Sequence, residues 1–236
     1  MELIKQNWTN LDAEDFQAYL KSLARPEKCE WTRRIINTNM PLLAIATPTL
    51  KNIAKEIFKG NYISFLNLHL NEYYENTIVN ASLISKITDF NTFKNYLTNY
   101  AERVDNWASC DLLDFKITKQ NAEDYFNLSK TLTASTKTFK KRIGILIWFK
   151  LIEFDEFFPK ILQLCNNFYN ETEYYVNMVL AWFVAECFIK RREETLKYLN
   201  SHKLNKFTIN KAVQKCRDSY RVTKEDKDML LSFKIK

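Results

Sequence analysis

The chain has 236 residues, long enough to bury a sizeable core, with 35 Lys and Arg against 28 Asp and Glu and a formal net charge of +7. Two glycines, Gly60 and Gly144, and four prolines are too few turn residues for a β-rich chain of this size, so the composition predicts an all-α fold. Two separated glycines write no Gly-rich phosphate loop, and two histidines with five scattered cysteines write no metal motif and no Ser-His or Cys-His dyad, so neither a nucleotide cofactor nor a metal is expected.

The first residues, MELIKQNWTN, lack the basic-then-apolar pattern of a signal peptide. Apolar residues then recur at three-four spacing. Phe16, Tyr19, Leu20 and Leu23 predict a helix over 13–23. Leu50, Ile53, Ala54 and Ile57 predict the next, with Thr47 as its N-cap and Pro48 as its first residue. Further helices are predicted over 91–100, 101–115, 122–132, 137–154, 157–168, 173–189, 193–199, 210–220 and 224–233. The longest apolar runs, GILIWF at 144–149 and MVLAWFVA at 178–185, are too short to cross a membrane. The cysteines read as reduced, mostly buried thiols, so a cytoplasmic protein with no membrane association is expected.

Spacing organises these helices. Trp107 and Arg142 are 35 residues apart, Arg142 and Met178 36, and Met178 and Ala212 34, with a short helix inside each interval. A recurring helix pair of this length predicts an α-solenoid of HEAT-like repeats, an α-α superhelix whose equivalent helices line one concave, basic groove. No Pro-, Gly- or Ser-rich linker interrupts the chain, so residues 1–236 are expected to form a single domain.

The charge is unevenly placed. Residues 190–236 hold 14 Lys and Arg against 6 Asp and Glu, and the rest holds 21 against 22, so all of the surplus lies in the last fifth. Such asymmetry points to a polyanion partner, although solubility alone explains it as well. In the groove, Trp107 and Asp111 would share one helix face, a turn apart. Lys137, Lys140, Lys141 and Arg142 would come from the second groove helix, Trp182 from the third, and Lys211, Lys215, Arg217 and Arg221 from the fourth and just beyond it. Cationic walls with a few aromatics suit nucleic acid. A lone carboxylate in a polyanion site is electrostatically wrong unless positive charge develops there, as it does when a glycosidic bond breaks through an oxocarbenium-like sugar. Indole faces favour the same cation. Singly, each residue also reads as core filler or a solvated charge. Asp105, out of register with Trp107, reads as a cap or structural acid.

The segments at 40–57 (MPLLAIATPTLKNIAKEI), 104–111 (VDNWASCD), 140–148 (KKRIGILIW), 174–187 (YYVNMVLAWFVAEC) and 210–222 (NKAVQKCRDSYRV) together resemble the AlkD family of DNA alkylation repair proteins, HEAT-like-repeat DNA glycosylases, from Trp31 to Arg221. The resemblance implies a glycosylase that releases N3- and N7-alkylated purines from double-stranded DNA, without flipping the nucleotide, in base excision repair. It implies that Asp111 stabilises the oxocarbenium and positions water, that Trp107 and Trp182 press on the deoxyribose, and that Arg142 contacts the backbone beside the lesion. Lys140, Lys141, Lys211, Lys215, Arg217 and Arg221 would serve DNA binding, and a monomer is expected. The chain departs from the family pattern at Ala44, where the family has glycine, at Ile35, where it has a lesion-facing aromatic, and at Met178 and Ala185, where it has basic residues. These departures leave open a non-catalytic nucleic-acid-binding relative, and the repeat architecture leaves open a protein-binding solenoid.

Overall fold

A computed structural model describes all residues, 1–236. It contains fourteen α-helices and no strand. The chain divides into two compact units, Met1–Lys116 and Ile117–Lys236. The first carries α1 (Asn10–Ser22), α2 (Cys29–Ile36), α3 (Thr47–Phe58), α4 (Tyr62–Leu66), α5 (Tyr74–Ile84), α6 (Phe90–Ala101) and α7 (Trp107–Asp111). The second carries α8 (Ala122–Thr133), α9 (Thr138–Leu151), α10 (Phe158–Cys165), α11 (Tyr174–Lys190), α12 (Arg192–Leu199), α13 (Lys206–Asp218) and α14 (Lys224–Met229). No helix is long and apolar enough to cross a membrane.

In the second unit α8 packs on α9, α9 on α11 and α11 on α13, with the short α10 and α12 between. This is the stacking of helical repeats, each burying its apolar face against the next. Trp148 sits at its centre, fully buried, its indole N–H donating to Ser129 Oγ at 2.8 Å and its ring edge-on to Phe183 at 5.6 Å. Gly144 lets α9 approach α8, because a Cβ there would lie 2.7 Å from Thr133 Cγ2 and 3.0 Å from the Ser129 carbonyl oxygen.

In the first unit Trp8, Phe16 and Phe65 form an edge-to-face cluster, with Phe65 4.9 Å from Trp8 and 5.0 Å from Phe16. α5 packs on α3 and is buried nearly all round, so it shows no apolar stripe, and periodicity alone does not reveal it. The helix predicted over 101–115 does not form as one piece. α6 ends at Ala101, and Asn106, extended at φ −149° and ψ 157°, caps the five-residue α7, its side chain accepting from Ser109 N–H at 2.9 Å. Asp105 is the structural acid: its carboxylate accepts from Thr38 Oγ1 at 2.5 Å and Asn39 N–H at 2.7 Å. Thr47 is not the N-cap of α3. Ala46 takes that place with no side-chain bond, and Thr47 and Pro48 are the first two helical residues.

The loop into α3 holds an unusual element. Ala44 adopts φ 55°, the left-handed region that favours glycine. This turn aims consecutive N–H groups at the fully buried Glu75 carboxylate, which accepts from Leu43 at 3.0 and 3.1 Å and from Ile45 at 3.3 Å. Burial pushes the Glu75 carboxyl above its ordinary range in spite of these bonds. Ala44 therefore carries a backbone cost that a glycine in the same conformation would not.

Two stability changes follow. Ala44→Gly should stabilise the protein by about 1 kcal/mol in chemical denaturation, since it removes the left-handed penalty; destabilisation would show that the Ala44 methyl contributes more than its backbone costs. Glu75→Ala should cost about 3 kcal/mol, because buried N–H groups lose their acceptor, and Glu75→Gln, which keeps one acceptor oxygen, should cost less. Equal losses for the two variants would contradict this.

Candidate functional site

Trp107 and Asp111 are the first and last residues of α7. A five-residue helix does not hold itself together in water, so its geometry has to come from neighbours. Ser109, fully buried, is the centre of that support. Its N–H is capped by Asn106, its carbonyl accepts from the Tyr100 hydroxyl at 2.9 Å, and its hydroxyl lies 2.6 Å from Thr77 Oγ1. Thr77 donates to the Tyr74 carbonyl at 2.6 Å, so Ser109 is the donor to Thr77. Burial pushes the Tyr100 phenol well above its ordinary range, which keeps it a neutral donor. The Trp107 indole N–H donates to the Ile35 carbonyl at 3.2 Å, which ties the ring to the end of α2. Trp107 and Asp111 are each half-buried.

On the second unit, Lys140, Lys141 and Arg142 lie in the first turns of α9. Lys141 pairs with the Glu171 carboxylate at 2.6 Å. Burial raises the Glu171 carboxyl, but the bonds from Lys141, Glu173 and Thr172 outweigh it and hold the carboxyl below its ordinary range. Arg142 is only 5 % exposed and donates to the Tyr175 carbonyl at 2.8 Å. The basic start of α9 is thus bound to the start of α11. Trp182, 36 % exposed on α11, leans on Phe149 with ring centres 4.5 Å apart. Beside it in the sequence pattern, Met178 is half-buried and Ala185 buried.

The remaining cations divide by what holds them. Lys211 and Lys215 lie one turn apart on α13, both half-buried, and Lys211 donates only to the Gln214 amide at 3.0 Å. Arg217 instead donates to the Lys227 carbonyl at 2.7 Å, and Arg221 grips Glu186 with both terminal nitrogens. These two arginines serve the fold at those atoms. Cys165, Cys187 and Cys216 are buried thiols pushed up by burial, unsuited to nucleophilic work.

Two features escaped the sequence reading. Lys206, Phe207, Asn210, Lys211 and Gln214 make one stripe of α13 that, with Lys234, lines a cavity of about 510 Å³. Exposed Phe207 meets exposed Tyr174 edge-on at 5.9 Å, so aromatic and cationic groups stand together there. The helix predicted from 210 begins a turn earlier because Asn205 caps it, accepting from Thr208 N–H at 2.8 Å. The second feature is Trp31. It is 64 % exposed on α2, one turn before Ile35, which is 45 % exposed. Trp31 and Ile35 therefore share one exposed face of α2. The i,i+4 spacing of Trp31 and Ile35 was the signal that could have found it, and its exposure shows that this face is not packed.

No curated protein sequence matches the chain. The model of one family, described as DNA alkylation repair enzyme, matches residues 16–216, which include α7, the start of α9, α11 and most of α13. With the match running over most of its length, the chain belongs to the DNA alkylation repair enzyme family.

Proposed function

We propose that the protein is a DNA glycosylase that hydrolyses the N-glycosidic bond of cationic N3- and N7-alkylpurines in duplex DNA. The observation that carries this reading is the clamped α7, which presents an indole and a carboxylate one turn apart. The C1′–N bond breaks with its electron pair going to the base, which leaves as a neutral purine because alkylation had already made it cationic. Positive charge passes to the sugar, and the Asp111 carboxylate lowers the cost of that charge. Water oriented by Asp111 then attacks C1′, and the proton released from its oxygen passes to bulk solvent, leaving the neutral hemiacetal of the abasic site. Such a leaving group needs no general acid, which fits a site built around one acid. The Trp107 face stabilises the same cation and packs against the sugar.

Trp182 and Arg142, on the second unit, enter this reading through the family pattern. Arg142 carries five N–H donors in a planar fork, a geometry that suits phosphate oxygens as well as the Tyr175 carbonyl. Lys211 and Lys215, with Lys206 and Phe207, suit the backbone and a sugar or base face. Lys140, Lys141, Arg217 and Arg221 contribute to the field even where a carboxylate or carbonyl already holds them. The alternative of a non-catalytic DNA-binding protein drew on the departures at Ile35, Ala44 and Met178. Trp31 and the left-handed Ala44 weaken two of these three motives. In this reading Trp31 supplies the aromatic face toward the lesion.

Wild-type protein should release 7-methylguanine or 3-methyladenine from methylated duplex DNA, and Asp111→Asn should slow single-turnover release by about 100-fold or more. A wild type that releases no more base than Asp111→Asn would overturn the reading. Trp31→Ala should lower kcat/KM about tenfold, within the range for removing one aromatic stacking partner, and Trp31→Phe should restore most of it. An unaffected Trp31→Ala would remove that residue from the site.

A further inference from the structure

The surplus of positive charge in the sequence lies at the C-terminal end, yet the first unit has a basic site of its own. A cavity of about 560 Å³ opens between α3, α5 and the segment that follows α7. α3 contributes Lys51 and Lys55, one turn apart, together with Phe58. Lys86 comes from just beyond α5, and Lys116 and Asp114 from the segment after α7. Asp114 is the one carboxylate in the lining, and Lys116 pairs with it at 2.7 Å. No ion pair of the structure takes Lys51, Lys55 or Lys86, all of them exposed. Three ammonium groups therefore face one cavity without a counter-charge. They repel one another there, and apart from the stacking of Lys86 over Phe58 no contact offsets it, which is the arrangement a bound anion resolves.

The chemistry of the lining narrows the anion. Ammonium groups on flexible stems are point-charge partners, suited to phosphodiester oxygens more than to a planar carboxylate. A free nucleotide would also need a face for its base. Phe58 is the aromatic of the lining, and it already packs on Tyr62, with ring centres 5.0 Å apart, and under the Lys86 ammonium at 5.7 Å. Ser82 and Ser85 spend their hydroxyl protons on the Ile78 and Ala81 carbonyls, and Ser85 Oγ accepts from Asp114 N–H, so neither hydroxyl reads a base edge. What is left is recognition of charge without sequence. The cavity also has a definite address: Leu112, in its lining, is the residue after Asp111.

We propose that this cavity seats backbone phosphates of the DNA strand, held by Lys51, Lys55 and Lys86, and so sets where the duplex lies along α7 without taking part in bond cleavage. The proposal rests on the reading of the protein as a DNA-acting enzyme, but not on glycosylase chemistry. The test uses full-length protein and a fluorescent, undamaged duplex. Binding is measured over a range of salt for the Asp111→Asn protein, alone and with Lys51→Ala, Lys55→Ala and Lys86→Ala combined. A control combines Lys94→Ala, Lys119→Ala and Lys197→Ala, exposed lysines that are not part of the cavity lining, and removes the same charge. Thermal melts check that both triple variants are folded. The cavity variant should bind at least tenfold more weakly than the control near 0.1 M salt, and its log-log salt slope should fall by about 2 to 3, near 0.9 for each phosphate no longer neutralised. Equal affinity and slope in the two triple variants would overturn the proposal. The outcomes separate it from the glycosylase reading. A wild type that excises no base, while the cavity variant loses binding, overturns the glycosylase reading alone. Normal excision with an unchanged salt slope overturns this proposal alone.

Discussion

The site depends on a helix that cannot stand by itself. α7 is five residues long, far below the length at which a helix persists in water, and it carries Trp107 at one end and Asp111 at the other. Its order is imposed from outside by Asn106 at the cap, by Thr77 and Tyr100 on the two sides of Ser109, and by the Ile35 carbonyl on the Trp107 indole. Asp105 extends the same support, since it fixes the Thr38–Asn39 turn against the entry to the helix. Asn106, Thr77, Tyr100 and Ser109 are all buried, so the bonds at the centre of this support are made where water competes least. The consequence is a helix whose backbone position is decided before any ligand arrives, and under the proposed function that preorganisation is what electrostatic catalysis at Asp111 requires.

The charges of the molecule are divided between holding the fold and facing solvent. Lys141, Arg142, Arg217 and Arg221 look alike in the sequence as members of a basic set, yet each has a carboxylate or carbonyl partner within its own unit. Half-buried Lys211 and Lys215, and on the first unit exposed Lys51, Lys55 and Lys86, are by contrast in no ion pair that holds the fold. Counting basic residues along the chain locates neither group. The partners decide, and they come from residues thirty or more positions away in the case of Glu171, Tyr175 and Glu186.

Much of the architecture was legible where a helix has one wet and one dry face. α3, α6, α8 and α12 lie within a residue or two of where apolar spacing puts them, and the all-helical class follows from the scarcity of glycine and proline. α5 was not legible, because a helix buried on all sides has no period to read. The break between α6 and α7 was missed for a related reason. The apolar positions continue through it, and the interruption is set by the Asn106 cap and the Asp105 bonds to a distant turn. At the site, the pairing of Trp107 with Asp111 was visible as a four-residue spacing. The lysines around the first-unit cavity were not, because they are spread over positions 51 to 116 and never form a run. Trp31 was missed as well: its spacing to Ile35 was readable, but its exposure on α2 is a property of packing.

The central claim is that the clamped Asp111 carboxylate answers positive charge on the deoxyribose. The most direct measurement is the affinity for duplexes that carry, at one position, either a neutral tetrahydrofuran abasic site or a cationic iminosugar in its place. The two differ chiefly in the charge that develops in the transition state, and transition-state mimics bind at least about 100-fold more tightly than ground-state ligands. Wild-type protein should prefer the cationic duplex by at least about tenfold, a conservative share of that range, and Asp111→Asn should abolish the preference while still binding the neutral one. Equal affinity of the wild type for both duplexes, or a preference that survives Asp111→Asn, would contradict it.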